Sequence, residues 1–151
     1  MKLNKQLLAF DSIPISLWYA ISQLREQVFV VEQSCAYLDA DGRDQLAHHL
    51  IWQDDGGILA YCRILNPGLT KISESPYVSI GRVVVDSRFR GIGLGEELMK
   101  SAIEHCRTLY GHNPIYISAQ LHLQGFYEKL GFKAVGESYL EDGIPHISML
   151  L

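Results

Sequence analysis

Apolar positions along the chain fall into runs with distinct periods. Leu17, Ile21, Leu24, Val28 and Val31 recur at spacings of four, three, four and three, which lines one face of a helix. Ser16 stands just before this stripe, where a side-chain oxygen can cap the first turn. The segment Tyr37 to Gln45 is polar and carries Gly42, and is predicted to be a solvated loop. His49 to Trp52 and Ile58 to Leu65 flank Asp54-Asp55-Gly56-Gly57, the pattern of two strands joined by a tight turn. Asn66-Pro67-Gly68 stops the second strand, and a loop is predicted to run to about Pro76. β-Branched residues crowd Val78 to Val85, which predicts a further strand. After a Gly-rich stretch from Arg90 to Gly95, Leu94, Leu98, Ala102, Cys106 and Leu109 form a second helical stripe closed by Gly111 and Pro114. Ile115 to Ser118 reads as a short strand, and Leu123, Phe126, Tyr127 and Leu130 as one more helical face, with Gly131 placed to end it. Phe132 to Tyr139 and His146 to Leu150 form a final hairpin around Glu141-Asp142-Gly143. Helices and strands mix without strict alternation, so the predicted class is α/β (α+β), a single domain over 1–151 built on a largely antiparallel sheet.

Composition narrows the function classes. The chain has 151 residues, 48% hydrophobic and 20% charged, which suits one domain with a buried core. Its net charge is −4, so nucleic acid is not an expected partner. The longest apolar runs, Leu17 to Ile21 and Ile58 to Cys62, are five residues each, so no membrane helix is expected. The stretch Leu7 to Phe10 after Lys2 and Lys5 is too short for a signal-peptide core, which makes a cytoplasmic location the expectation. Cys35, Cys62 and Cys106 are odd in number and far apart, as expected for free thiols in a reducing compartment.

The chemistry concentrates where the Val-rich strand ends. Val83, Val84 and Val85 lead through Asp86, Ser87, Arg88 and Phe89 into Arg90, Gly91, Ile92, Gly93, Leu94 and Gly95, where a helix begins. Glycines let backbone N–H groups approach a phosphate closely, and a helix N-terminus adds positive potential. Arg88 and Arg90 place mobile positive charge beside this turn. The third glycine of a dinucleotide fingerprint would fall on Glu96, and no Gly-Lys-Ser/Thr is present, so neither a Rossmann turn nor a P-loop fits. Asp39, Asp41 and Asp44 are spaced as in a calcium loop, but the twelfth position is Leu50 rather than Glu. They read instead as an acidic, solvated lip able to attract a cationic amine. His48 and His49 are adjacent on a strand and point to opposite faces, so no metal is expected.

Arg90-x-x-Gly93-x-Gly95 after a Val-rich strand resembles the acyl-CoA signature of the GNAT acetyltransferases, and Phe126-Tyr127-Glu128-Lys129-Leu130-Gly131-Phe132 resembles the second half of that family's pattern. A narrower similarity, to the ElaA-like branch, rests on Leu24-Arg25, Val28 to Gln33, Asp39-Ala40-Asp41-Gly42, His48, Ala119 to Gln124 and Glu141 to His146. The resemblance implies the GNAT fold, with splayed central strands, and acetyl-CoA as cosubstrate. Its pyrophosphate would lie on the amides from Arg90 to Gly95 and its pantetheine arm along Val83, Val84 and Val85, with Ile115 to Ala119 as the other lip. It implies direct attack by a primary amine of a small molecule or protein, with Tyr127 as the acid that helps the thiolate leave. An amide of the Val83 to Val85 strand would polarise the thioester carbonyl.

Two departures stand out. Gly81 and Arg82 occupy the strand where many relatives place a Glu that relays the amine's proton, and Gln120 stands where the family commonly has Asn against the cofactor arm. His49, Glu32, His122 and His146 are candidate replacements for the missing base. A non-catalytic acyl-CoA-binding module of the same fold is the alternative that the missing Glu favours. The stretch Phe29 to Gln33 also resembles acyl-homoserine lactone synthases, but the complete CoA cradle points away from their chemistry. Homodimerisation is an expectation drawn from the fold class alone.

Overall fold

The computed structural model describes residues 2–69 and 77–151, so the loop predicted to run to about Pro76 lies partly outside the described residues. Among the described residues, seven strands form one sheet in the order β1-β2-β3-β4-β5-β7-β6. They are β1 (Asn4–Ala9), β2 (His48–Asp54), β3 (Gly57–Leu65), β4 (Val78–Val85), β5 (Ile115–Gln120), β6 (Lys133–Glu141) and β7 (Ile144–Leu150). All neighbours pair antiparallel except β4 and β5, which are parallel. The antiparallel character was legible from the hairpin turns. The strand β1 was missed, because Asn4 to Ala9 shows no clean alternation.

Helices cover both faces. α1 (Ile15–Arg25) buries Ile21 against Ile51, Ile58, Tyr61 and Val84 on one side. On the other, α2 (Leu94–Tyr110) buries Leu98, Met99, Ala102 and Cys106 against Leu50, Ala60, Cys62, Ile64, Val78 and Ile80. Coverage on both faces makes β3 buried almost throughout, which explains its continuous apolar run. The third helix, α3 (Gln124–Lys129), ends as its glycine predicts: Gly131 has φ +101° and donates to Glu128, while Phe132 donates to Tyr127.

The first helix departs from prediction at both ends. It begins at Ile15 after Pro14, whose carbonyl accepts from Trp18, so Ser16 does not cap it. It also stops being an α-helix at Arg25 and continues as a π-helical segment, Glu26–Glu32. The N–H of Gln33 bonds Val28 and that of Cys35 bonds Val30, five residues back in each case. This wider turn rotates the apolar stripe, so Val28 stays buried while Val31 is exposed.

Candidate functional site

The site originates in how two strands fail to stay together. β4 and β5 pair only at Val78 with Ile115 and Ser79 with Tyr116, and then diverge. Beyond that point β5 pairs with β7 instead. On its other side β4 carries a bulge: Tyr61 faces Val84 and Arg63 faces Gly81, so Arg82 and Val83 together oppose Cys62. Arg82 accommodates the extra residue at φ +51°, an unusual conformation for a side-chain-bearing residue. The bulge also turns Val83 and Val85 toward the α2 face, leaving Val84 on the α1 face. The opened strands bound a cleft of about 1030 Å³ running from the start of α2 to the β6–β7 turn.

At one end of the cleft lies the Gly-rich turn. Gly91 and Gly93 have φ +82° and +83°, and Gly93 immediately precedes α2 without any side-chain cap. The first amides of α2 therefore have neither an intrahelical partner nor a capping side chain, the arrangement in which helix N-termini accept anions in general. Gly95 needs its missing side chain for no internal reason: a Cβ there would lie 3.7 Å from Val85 and 3.8 Å from Phe126, ordinary contact distances.

Both arginines beside the turn are ion-paired. Arg88 binds Asp86 through Nε at 3.0 Å and Nη2 at 3.1 Å, and its side chain lies outside the cleft lining, as does that of the exposed Ile92. Arg90 does line the cleft, but grips Glu32 in a two-pronged pair at 2.5 and 2.8 Å and donates to the Val85 carbonyl. Val83, Val84, Val85, Gly91, Gly93, Leu94 and Gly95 line it as well. Gln120 lines the opposite lip and donates to Gln33 at 3.3 Å, which ties β5 to the end of the π-helical segment.

Tyr127 projects from α3 into the cleft while only 7% exposed, packed edge-on against Phe126 and Phe132. Burial, with a smaller contribution from Cys62, pushes its hydroxyl up to about 12. At neutral pH it is a phenol that can only donate or accept a hydrogen bond, never a phenolate.

The other end of the cleft contradicts the expectation of a solvated acidic lip. The loop after the π-helical segment folds inward, and its carboxylates are captured by guanidiniums. Arg25, fully buried, binds Asp39 and Asp44 at 2.7 Å each. Arg63 binds Asp41 at 2.8 Å and Asp44 at 3.0 Å, and Arg82 reaches from the bulge to Asp39 at 2.8 Å and Asp41 at 3.4 Å. Burial alone would raise the Asp44 carboxyl, but its hydrogen bonds to Arg25 and Arg63 hold it below the usual carboxylate range. Buried charges need this degree of pairing. Sequence reasoning missed the network because its arginines come from α1, β3 and β4 and meet the aspartates only in the folded chain.

The candidate bases separate clearly. His49 is fully buried; its Nε2–H donates to the Asp44 carbonyl and its Nδ1 accepts from Tyr61. Burial lowers its pKa, and it does not line the cleft. Glu32 is committed to Arg90, which holds its carboxyl below the usual value. His122 and His146 both line the cleft. His146 is the better oriented: Nδ1–H donates to the Ile144 carbonyl at 2.6 Å, which leaves Nε2, 3.5 Å from Glu141, as the basic atom. Around it sit groups that sequence patterns did not single out. Tyr139 stacks on the His146 ring, Ser118 bonds Tyr139 and Glu141, and Cys35 donates to the Asp142 carbonyl, which draws the β6–β7 turn against the inward-folded loop.

Known proteins agree with this architecture. The sequence model of the family described as "Acetyltransferase (GNAT) domain" matches residues 21–151. Protein ElaA of Escherichia coli is 44% identical over 147 residues, covering 95% of this chain and 93% of its own. Its crystal structure superposes with a TM-score of 0.89. An acyl-CoA N-acyltransferase from Pseudomonas aeruginosa is 44% identical with a TM-score of 0.91, covering 99% of each chain. The AHL synthase LasI, at 15% identity and a TM-score of 0.77, shares the fold and nothing more specific. With the splayed β4 and β5, the uncapped glycine turn and Tyr127 in one cleft, these similarities establish that the chain belongs to the GNAT acyltransferase family, in its ElaA-like branch.

Proposed function

We propose that the protein transfers the acetyl group of acetyl-CoA to a primary amine by direct attack, with Tyr127 as the acid that hydrogen-bonds the departing sulfur and His146 as the base. The observation that carries this reading is the β4–β5 divergence. It leaves the β5-facing edge of β4 from Val83 to Val85 without a neighbouring strand among the described residues, beside uncapped amides at the start of α2. An extended amide-bearing arm fits such an edge as an added strand, and a pyrophosphate fits the amides beyond it. Gly95, which no contact among the described residues requires to be glycine, supports close approach of that ligand.

Each residue's part follows from its surroundings. When bound, acetyl-CoA supplies an activated acyl carbonyl. The bulge at Arg82 and Val83 takes backbone groups out of the ladder, and an N–H there can meet negative charge developing on the thioester oxygen. His146, with its tautomer set by Ile144, accepts a proton from the acceptor's ammonium so that the free amine attacks, and Glu141 stabilises the resulting imidazolium. The second nitrogen proton passes to the thiolate as the C–S bond breaks. A thiol's pKa of about 8.5 lies well below that of Tyr127, so Tyr127 stabilises the departing sulfur by donating a hydrogen bond rather than by surrendering its proton fully.

A non-catalytic acyl-CoA-binding module remains the second reading, favoured by Gly81 and Arg82 in place of a strand carboxylate. Calorimetry with acetyl-CoA, run beside NAD and with Gly93→Asp as control, tests the site. Saturable acetyl-CoA binding that vanishes in the variant supports the cradle, and its absence in the wild type overturns both readings. An amine screen with Tyr127→Phe then separates them. The enzyme reading expects turnover slowed about a hundredfold with affinity retained, whereas binding without turnover for any amine leaves the module.

A further inference from the structure

The inward-folded loop gives the acceptor end of the cleft an unexpected sign. Arg25, Arg43, Arg63 and Arg82 meet Asp39, Asp41 and Asp44, so among the described residues of this network four guanidiniums face three carboxylates and one positive charge is left over. The surplus is not spread evenly. Arg25 is enclosed and its nitrogens are engaged, whereas Arg43 holds Asp41 only at 3.5 Å and remains 32% exposed at the cleft wall. Arg82, 22% exposed, uses Nε and Nη2 on Asp39 and Asp41 and leaves Nη1 unengaged among the described residues. Behind them Arg63, 3% exposed, has an Nε with no hydrogen-bond partner. The Arg63 Nε is enclosed, but the partly exposed guanidiniums of Arg43 and Arg82 on one cleft wall suit an anionic oxygen ligand, which guanidinium binds in a planar, two-pronged manner.

The facing wall has the opposite character. Glu141 and Asp142 occupy the β6–β7 turn, and His146 stands beside them. The contact from Cys35 to the Asp142 carbonyl holds that turn against the arginine-bearing loop, so both walls bound one space.

On the basis of the transferase reading, we infer that the acceptor is an amine that also carries a carboxylate, in the manner of an α-amino acid, with the carboxylate held by Arg43 and Arg82 and the amino group on the side of Glu141 and His146. A simple polyamine would place positive charge against the arginine wall, and a neutral amine would leave its donors unfilled.

The test uses the full chain saturated with CoA and a panel of the common α-amino acids beside their carboxamides, which differ only in the charged group. Calorimetric binding and steady-state transfer from acetyl-CoA are both measured. At least one amino acid is expected to exceed its own carboxamide by roughly tenfold to a hundredfold, the worth of one charge-assisted hydrogen bond. Arg43→Gln should remove most of that preference by raising KM for the acid with kcat retained, and leave the carboxamide unaffected. Arg43→Lys, which keeps the charge, should restore part of it. Equal behaviour of acids and carboxamides in the wild type, or an Arg43→Gln loss shared by both, overturns the inference. Carboxylate-dependent binding without transfer supports the anion site and instead overturns the transferase reading.

Discussion

Asp44→Asn probes the ion network that builds the acceptor wall. Asp44 is 6% exposed at its side chain and accepts from Arg25 at 2.7 Å and Arg63 at 3.0 Å, so one substitution uncouples two buried guanidiniums. Removing one partner of a buried pair costs about 3–5 kcal/mol, because the remaining charge stays desolvated. Asparagine preserves volume and one acceptor oxygen, which places the expected loss near about 3 kcal/mol. For a domain of this size that corresponds to a fall in Tm of roughly 6–12 °C. Urea unfolding at pH 7 measures it, and the double variant with Arg63→Met should lose less than the sum of the singles by at least about 1 kcal/mol. The pH dependence supplies an independent check. The Asp44 carboxyl lies below its ordinary value in the folded protein, so its contribution is complete above about pH 4 and is lost as pH falls through the folded-state pKa. The gap between wild type and variant should therefore hold from pH 7 to about pH 4 and narrow only under stronger acid. A variant within about 0.5 kcal/mol of wild type at pH 7 would refute the network's role.

Other outcomes follow from single contacts. Glu32→Gln frees Arg90 for an anionic ligand, and acetyl-CoA should then bind a few-fold more tightly by calorimetry; weaker binding would mean that Glu32 instead holds Arg90 in place for the cofactor. The His49 ring should keep the NMR signature of a neutral imidazole well below pH 6.5, and stability should decline as pH drops below about 6.5 because the unfolded chain takes up the proton that the folded one refuses. Burial pushes Cys106 up to about 12 and Cys62 higher still, so neither thiol should react with a thiol-specific reagent until the protein unfolds.

How much of this was legible before folding depends on the range of the interaction. The β4 strand, the Gly91-to-Gly95 turn, the α2 stripe and the Gly131 stop are local: β-branching, positive φ and helical period act within a few residues, and the structure reproduces them. Phe126 to Phe132 likewise placed Tyr127 on a short helix. The sequence by itself thus determined the order of the elements from the first helix onward, the largely antiparallel sheet and the position of the glycine turn before α2. It left the bulge at Arg82 unresolved, because a bulge is a mismatch between two strands and has no signature in either one alone. It misjudged Asp39, Asp41 and Asp44, since a carboxylate in a polar loop looks solvated until buried arginines from α1, β3 and β4 arrive. Which histidine is available for chemistry was decided the same way: His49 and His146 are alike in one dimension, and only tertiary packing encloses the first and turns the second toward the cleft. Charge sign and proton affinity at a site are sums over neighbours distant in the chain, so the tertiary structure alone could set them.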